Sequence, residues 1–198
     1  MSSLLEISGQ RAILVVEPIL PLAELEATAD ERDLRSTEGF TSASRRAERL
    51  AWRRVLRRIS PDAEVEYNAS GAPLLKNSPY THISVSHCRD CVAVALSCAP
   101  CGVDVELRER NFERVAERYI SQAERALCSE AWWLAAVWCA KECLYKMGGR
   151  EGVDFRRDII IEGVNAESQQ ILCRGVDGTA VTLKYALPDE NHIVVYAL

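Results

Sequence analysis

Two short runs in this chain have the residue types and spacing for chemistry on a charged substrate. They are Gly102-Val103-Asp104-Val105-Glu106 and Trp138-Cys139-Ala140-Lys141-Glu142-Cys143-Leu144-Tyr145-Lys146. Strand periodicity puts Asp104 and Glu106 on one face of the first run and turns Val103 and Val105 into the core. Like charges so placed repel unless a cation or strong donors compensate them. In the second run Glu142 and Lys146 stand at i and i+4 of a helix. Lys141, Trp138 and Tyr145 lie on the adjoining helix surface at about 100° per residue. A third carboxylate and two ammonium groups are thereby expected on one side of one helix. Three carboxylates suit a hard divalent cation such as Mg²⁺, which keeps several waters and takes further oxygens from substrate phosphates. Lysines complement those phosphates, so the expected substrate is a Mg²⁺-bound pyrophosphate.

The elements that must carry these groups follow from apolar periodicity and turn signals. Arg11 to Ile19 reads as a strand closed by Pro18 and Pro21, and Leu22 to Asp33 as a helix with apolar Leu22, Leu25 and Ala29. An arginine-rich helix is expected from about Ser42 to Ile59, stopping before Pro61, with Trp52, Val55, Leu56 and Ile59 toward the core. Glu64 to Asn68 and Ile83 to Val85 look like short strands. Val92 to Leu96 and Gly102 to Glu106 read as a pair joined by a Cys98-Ala99-Pro100-Cys101 turn. Phe112 to Tyr119 reads as helical, and Ser121-Gln122-Ala123-Glu124 matches a capping box that opens a new helix. The signature helix is expected from about Glu130 to Met147, with Gly148-Gly149 at its C-cap. Strands follow at Ile159 to Ile161, Ile171 to Arg174, Ala180 to Ala186 and Ile193 to Ala197, with Asp177-Gly178 as a hairpin turn.

Taken together, the two runs resemble the paired signatures of the 4′-phosphopantetheinyl transferases, Gly-x-Asp-x-Glu and Trp-x-x-Lys-Glu-x-x-x-Lys. Upstream, Ser84-Val85-Ser86-His87-Cys88 is similar to that family's Ser-His-Ser segment, and Gly71-Ala72-Pro73 falls where its Gly-Lys-Pro usually lies. Order and spacing match over roughly residues 40 to 150, which points to the larger, surfactin-type branch. The resemblance implies an α/β (α+β) fold of two similar subdomains related by a pseudo-twofold, each a short, mainly antiparallel sheet packed with helices. It implies a join near Pro100: residues 1–100 supply coenzyme A phosphate contacts, residues 101–198 carry the metal and catalytic motifs, and the active site lies at their interface.

The activity implied is that of a holo-[acyl-carrier-protein] synthase: Mg-dependent transfer of the 4′-phosphopantetheine arm of coenzyme A to a serine of an apo acyl or peptidyl carrier protein, releasing 3′,5′-ADP. Asp104, Glu106 and Glu142 are the implied metal ligands, with Mn an alternative to Mg. Glu142 and Lys146 are the implied catalytic residues; Glu142 or a metal-held water takes the serine proton. Ser86, His87, Lys141 and Lys146 are implied coenzyme A contacts. Three positions depart from the family pattern: Ala72 replaces a lysine and cannot contact phosphate, Cys88 replaces the second serine, and Cys143 stands where serine or alanine is common. An inactive homologue that only binds carrier protein or coenzyme A is the alternative reading.

Composition bounds these readings. The chain has 198 residues, enough for one sizeable core or two small subdomains, and 48% hydrophobic content excludes a disordered chain. A net charge of −5 argues against general nucleic-acid binding. Locally, Arg45, Arg46, Arg49, Arg53 and Arg57 gather within about 120° of helix arc. They read as a solvated basic face or as contacts to phosphate or an acidic partner, and the resemblance favours phosphate for Arg46, Arg49 and Arg53. No basic leader or long apolar run is apparent, so a cytoplasmic chain without membrane association is expected, and the resemblance implies a monomer. Eight cysteines are then expected as reduced thiols. Two Cys-x-x-Cys pairs, Cys88/Cys91 and Cys98/Cys101, imitate a zinc site. The strand between them holds Cys91 and Cys98 roughly 23 Å apart, which one tetrahedral zinc cannot bridge.

Overall fold

In the computed structural model, which describes residues 3–68, 71–148 and 152–198, the chain divides into two units, Met1–Ala99 and Pro100–Leu198. The first unit contains β1 (Leu5–Ser8), β2 (Ala12–Pro18), α1 (Leu22–Thr28), α2 (Glu31–Arg35), α3 (Ala43–Ile59), β3 (Glu64–Tyr67), β4 (Pro73–Lys76), β5 (His82–His87) and β6 (Cys91–Ser97). Four of its strands form an antiparallel sheet in the order β1-β2-β6-β5, and β3 and β4 form a separate hairpin. The apolar side of α3 closes the core: Trp52, Val55 and Leu56 are buried with Val15, Val92, Val94 and Leu96, and Ile59 packs beside them. That is the helix face expected from the 3.6-residue period. Ser42 caps the helix by accepting from the Arg45 amide.

One long helix over 22–33 is not what forms. Ala29 is extended, and the Asp30 carboxylate accepts from the Asp33 amide at 2.8 Å, opening α2. A side chain that competes for helical amides favours a cap over a helix interior. β1 and β4 are strands with no counterpart in the sequence-based expectation.

The second unit contains β7 (Gly102–Leu107), a 3₁₀ segment (Phe112–Arg118), α4 (Gln122–Arg125), α5 (Trp133–Gly148), β8 (Ile160–Asn165), β9 (Gln170–Arg174), β10 (Ala180–Ala186) and β11 (His192–Ala197). Its sheet is antiparallel in the order β7-β11-β10-β9-β8. The last four strands make a meander, and the first strand of the unit, β7, adds beside the last. The expected β6–β7 pair is therefore corrected: β6 lies between β2 and β5, and β7 pairs with β11, with Asp104 opposite Val195 and Glu106 opposite Ile193. A short link cannot force a hairpin when each strand finds a better-matched partner in its own unit.

Helix α5 packs against β7 and β11. Its Trp133, Ala136, Val137 and Ala140 are buried with Ile159, Ile161, Ile171, Leu183, Ile193 and Val195. The capping box forms as expected, with Ser121 accepting from the Glu124 amide and Glu124 accepting from the Ser121 amide. Of the expected C-cap pair, Gly148 is the last residue of α5 and Gly149 lies outside the described residues. Both units are mixed α/β with antiparallel sheets packed by helices, as the resemblance implied. Among the described residues no helix is long and apolar enough to cross a membrane.

Candidate active site

The second unit assembles its charged groups around a close approach of β7 to α5. A Cβ on Gly102 would stand 2.6 Å from the Cys143 carbonyl oxygen and 2.8 Å from both Cys143 Sγ and Met147 Cγ. Only a glycine lets the helix lie this near the strand. Asp104 and Glu106 share the strand parity of Gly102, and both sink beneath the surface, 5% and 8% exposed.

The environment of Asp104 and Glu106 comes from α5 and from the residues after β7. The Lys146 ammonium donates to Asp104 Oδ1 at 2.7 Å and to the Val103 carbonyl at 3.0 Å. Arg110, four residues beyond Glu106, pairs with its carboxylate while the guanidinium lies over the rings of Phe112 and Trp138. The fully buried Cys139 thiol is pushed well up, by burial first and then by the charges of Asp104 and Glu106. Glu142 is pushed up as well, by burial first and by the charge of Asp104 second, with Lys146 opposing. Cys139 thus feels both strand carboxylates, and Glu142 feels that of Asp104. Glu142 also lines an open cavity of about 560 Å³ with Arg118, Tyr119, Trp138, Asp154 and Phe155.

The two lysines of the signature helix part company. Lys146 meets Asp104, whereas Lys141 is fully buried and held between Glu124 at 2.7 Å and the Phe155 carbonyl at 2.8 Å. Burial holds its pKa below the usual lysine value, despite the opposing charge of Glu124. The expectation that both ammonium groups share the side of Glu142 is thus corrected. Glu124 is saturated: besides its cap and Lys141, it accepts from the Ile161 amide at 2.9 Å. The lysine is a fastening between α5, α4 and β8.

In the first unit the arginines of α3 have equally separate fates. Arg53, 5% exposed, and Arg57 both grip the buried Asp33 carboxylate, at 2.9 and 3.0 Å. Arg54 and Arg58 grip the buried Glu17, at 2.7 and 2.8 Å. Arg46 pairs with Glu26. These are internal ion pairs, so for Arg53 in particular a surface phosphate contact is corrected: the guanidinium has almost no access.

Arg49 differs. It donates to the Tyr67 hydroxyl and lies 5.2 Å from the ring centroids of Phe40 and Tyr67. Arg45 lies 4.9 Å over Phe40. Arg45, Glu48, Arg49, Tyr67 and His87 line a cavity of about 320 Å³ together with Gly71 and Pro73. His87 Nε2 stands 3.6 Å from Glu48. Ser86, on the opposite strand parity, is buried. Of the expected coenzyme A contacts, this cavity therefore unites Arg49 and His87; Arg45 joins them from the same basic arc, and Phe40, Tyr67 and Glu48 join unforeseen. The one sequence signal for the hairpin wall is Gly71, whose φ of +81° makes the turn that brings Pro73 opposite Tyr67.

Asp104, Glu106 and Glu142 offer only oxygen donors. Such a set fits a hard divalent cation. Comparison with family models matches residues 100–197, nearly the whole of this unit, to the 4′-phosphopantetheinyl transferase superfamily. Comparison with curated proteins found no match.

Proposed function

We propose that this chain moves the 4′-phosphopantetheine arm of coenzyme A onto a serine hydroxyl of an apo acyl or peptidyl carrier protein, as a surfactin-type, Mg-dependent holo-[acyl-carrier-protein] synthase. The observation that carries the reading is the match of residues 100–197 to the superfamily, a segment that contains Asp104, Glu106, Glu142 and the Lys146–Asp104 ion pair. A divalent cation held by the three carboxylates would neutralise pyrophosphate oxygens and the charge that develops on the leaving group.

The serine oxygen forms a new bond to the pantetheine-side phosphorus. The phosphoanhydride bond breaks, and 3′,5′-ADP leaves with the electron pair. Glu142 accepts the serine proton. Burial and the charge of Asp104 push its carboxyl above the ordinary glutamate value, the direction that suits a general base. Lys146 supplies a compact positive charge to the pyrophosphate, and its bond to Asp104 orients the ammonium. Arg49 and His87, with Arg45 in place of the absent lysine at position 72, contact coenzyme A phosphates. Arg46, Arg53 and Lys141 are held in ion pairs within their own units, and Ser86 is buried next to His87 in the chain.

Purified protein incubated with coenzyme A, Mg²⁺ and an apo carrier protein should add one phosphopantetheine mass increment to the carrier. A folded Asp104→Ala variant should lose about 10²–10⁴ in rate. Binding of coenzyme A without any mass increment, across several carriers and metals, would instead support the inactive homologue.

A further inference from the structure

Strand β6 separates Cys91, its first residue, from Cys98, one residue past its end, so the four thiols of the two Cys-x-x-Cys pairs do not meet. What the fold does instead is bring one pair together. Cys88 and Cys91 flank the tight turn from β5 to β6, and the Cys88 amide donates to the Cys91 carbonyl at 3.0 Å. Their sulfurs lie 3.3 Å apart, and Asp90 Oδ1, from within the same turn, lies 3.4 Å from Cys88 Sγ. Both cysteines are buried and neither is in a disulfide. Neither takes part in the transfer chemistry above.

We propose that this turn is a second metal site, in which Cys88 and Cys91 thiolates with the Asp90 carboxylate hold a thiophilic divalent cation of the Zn²⁺ class. With Zn–S bonds of about 2.3 Å, tetrahedral geometry sets two sulfurs about 3.8 Å apart. The pair needs to part by only about 0.5 Å, within reach of small χ1 adjustments. With a Zn–O bond of about 2.1 Å, the sulfur-to-oxygen separation is about 3.6 Å, close to what the turn already presents. Two thiolates and one carboxylate select against Mg²⁺, whose preference is for oxygen alone, so this site and the three-carboxylate site sort two cations by donor softness. Binding releases the thiol protons and leaves one tetrahedral position for a water or a further donor. The cation would fasten the β5–β6 turn directly beside His87, which lines the cavity of Arg45 and Arg49.

The test loads chelator-treated, reduced protein with Zn²⁺ alone and reads bound metal after dialysis, then repeats the reading with Co²⁺ for thiolate-to-metal charge-transfer absorption. One equivalent per chain with that absorption is expected, lost in Cys88→Ser and in Cys91→Ser and kept in Cys98→Ser. A second reading needs no variant: Zn²⁺ should protect Cys88 and Cys91 from alkylation, mapped by mass spectrometry, and leave Cys98 unchanged. No retained metal, equal retention by the Cys88→Ser/Cys91→Ser double variant, or a Cys88–Cys91 disulfide under reducing conditions would overturn the site. Because none of these readings uses coenzyme A or transfer, the outcome is independent of the proposed activity.

Discussion

Gly102→Ala tests whether the closeness of β7 and α5 builds the site. The added Cβ would fall 2.6 Å from a helix-backbone oxygen, the Cys143 carbonyl, and 2.8 Å from Cys143 Sγ and Met147 Cγ. The Met147 side chain can rotate away, but the carbonyl moves only with its helix. Restoring a contact of about 3.4 Å requires α5 to shift by roughly 0.8 Å at this point. Overpacking of this kind costs about 1–3 kcal/mol, and at about 2–4 °C per kcal/mol for a chain of this size the melting temperature should fall by about 2–12 °C. The same shift carries Glu142 and Lys146 away from Asp104. A displacement near 1 Å costs about 10²-fold in rate, so transfer should suffer more than the modest loss of stability alone explains. Thermal unfolding and initial transfer rates of the two proteins measure both quantities. Gly163→Ala is the control, since its Cβ would meet Leu172 at an ordinary 3.6 Å, and it should leave both nearly unchanged. A Gly102→Ala protein with native melting and native transfer would refute the reasoning.

Two more outcomes follow. Lys146→Met should abolish most transfer and also lower the melting of the metal-free protein, because it strands the buried Asp104 carboxylate, whereas Lys141→Met should mainly destabilise, by about 3–5 kcal/mol, because it strands the buried Glu124 carboxylate away from the phosphate chemistry; calorimetry and transfer rates on both variants check the division. Glu142 has a pKa raised by folding, so the folded metal-free protein binds more protons than the unfolded chain once pH exceeds the ordinary glutamate value. Its contribution is therefore lost as pH rises from about 4.5 through the raised folded value. Metal-free melting curves across that window should slope downward with pH for the wild type and less so for Glu142→Gln, and equal slopes would contradict the burial argument.

What local sequence determines here is periodicity and capping. Alternation alone put Asp104 and Glu106 on one strand face, the 3.6-residue period gave the core side of α3, and Ser121-x-x-Glu124 announced its own cap. These depend on neighbours within about four residues, which the sequence carries directly. Tertiary structure decided what each charge does. Lys141 and Lys146 are the same residue five positions apart on one helix, yet one is buried because Glu124 waits beneath it and the other reaches Asp104. Arg53 shares the basic arc of Arg49, but Asp33, twenty residues earlier, draws it inside, while Arg49 meets the aromatic wall of a cavity. Cys88 and Cys91 became neighbours through a turn, and Cys98 was carried away by a strand. An ionised side chain takes its role from the partner that compensates its charge, and that partner is supplied by distant chain segments that only packing brings near.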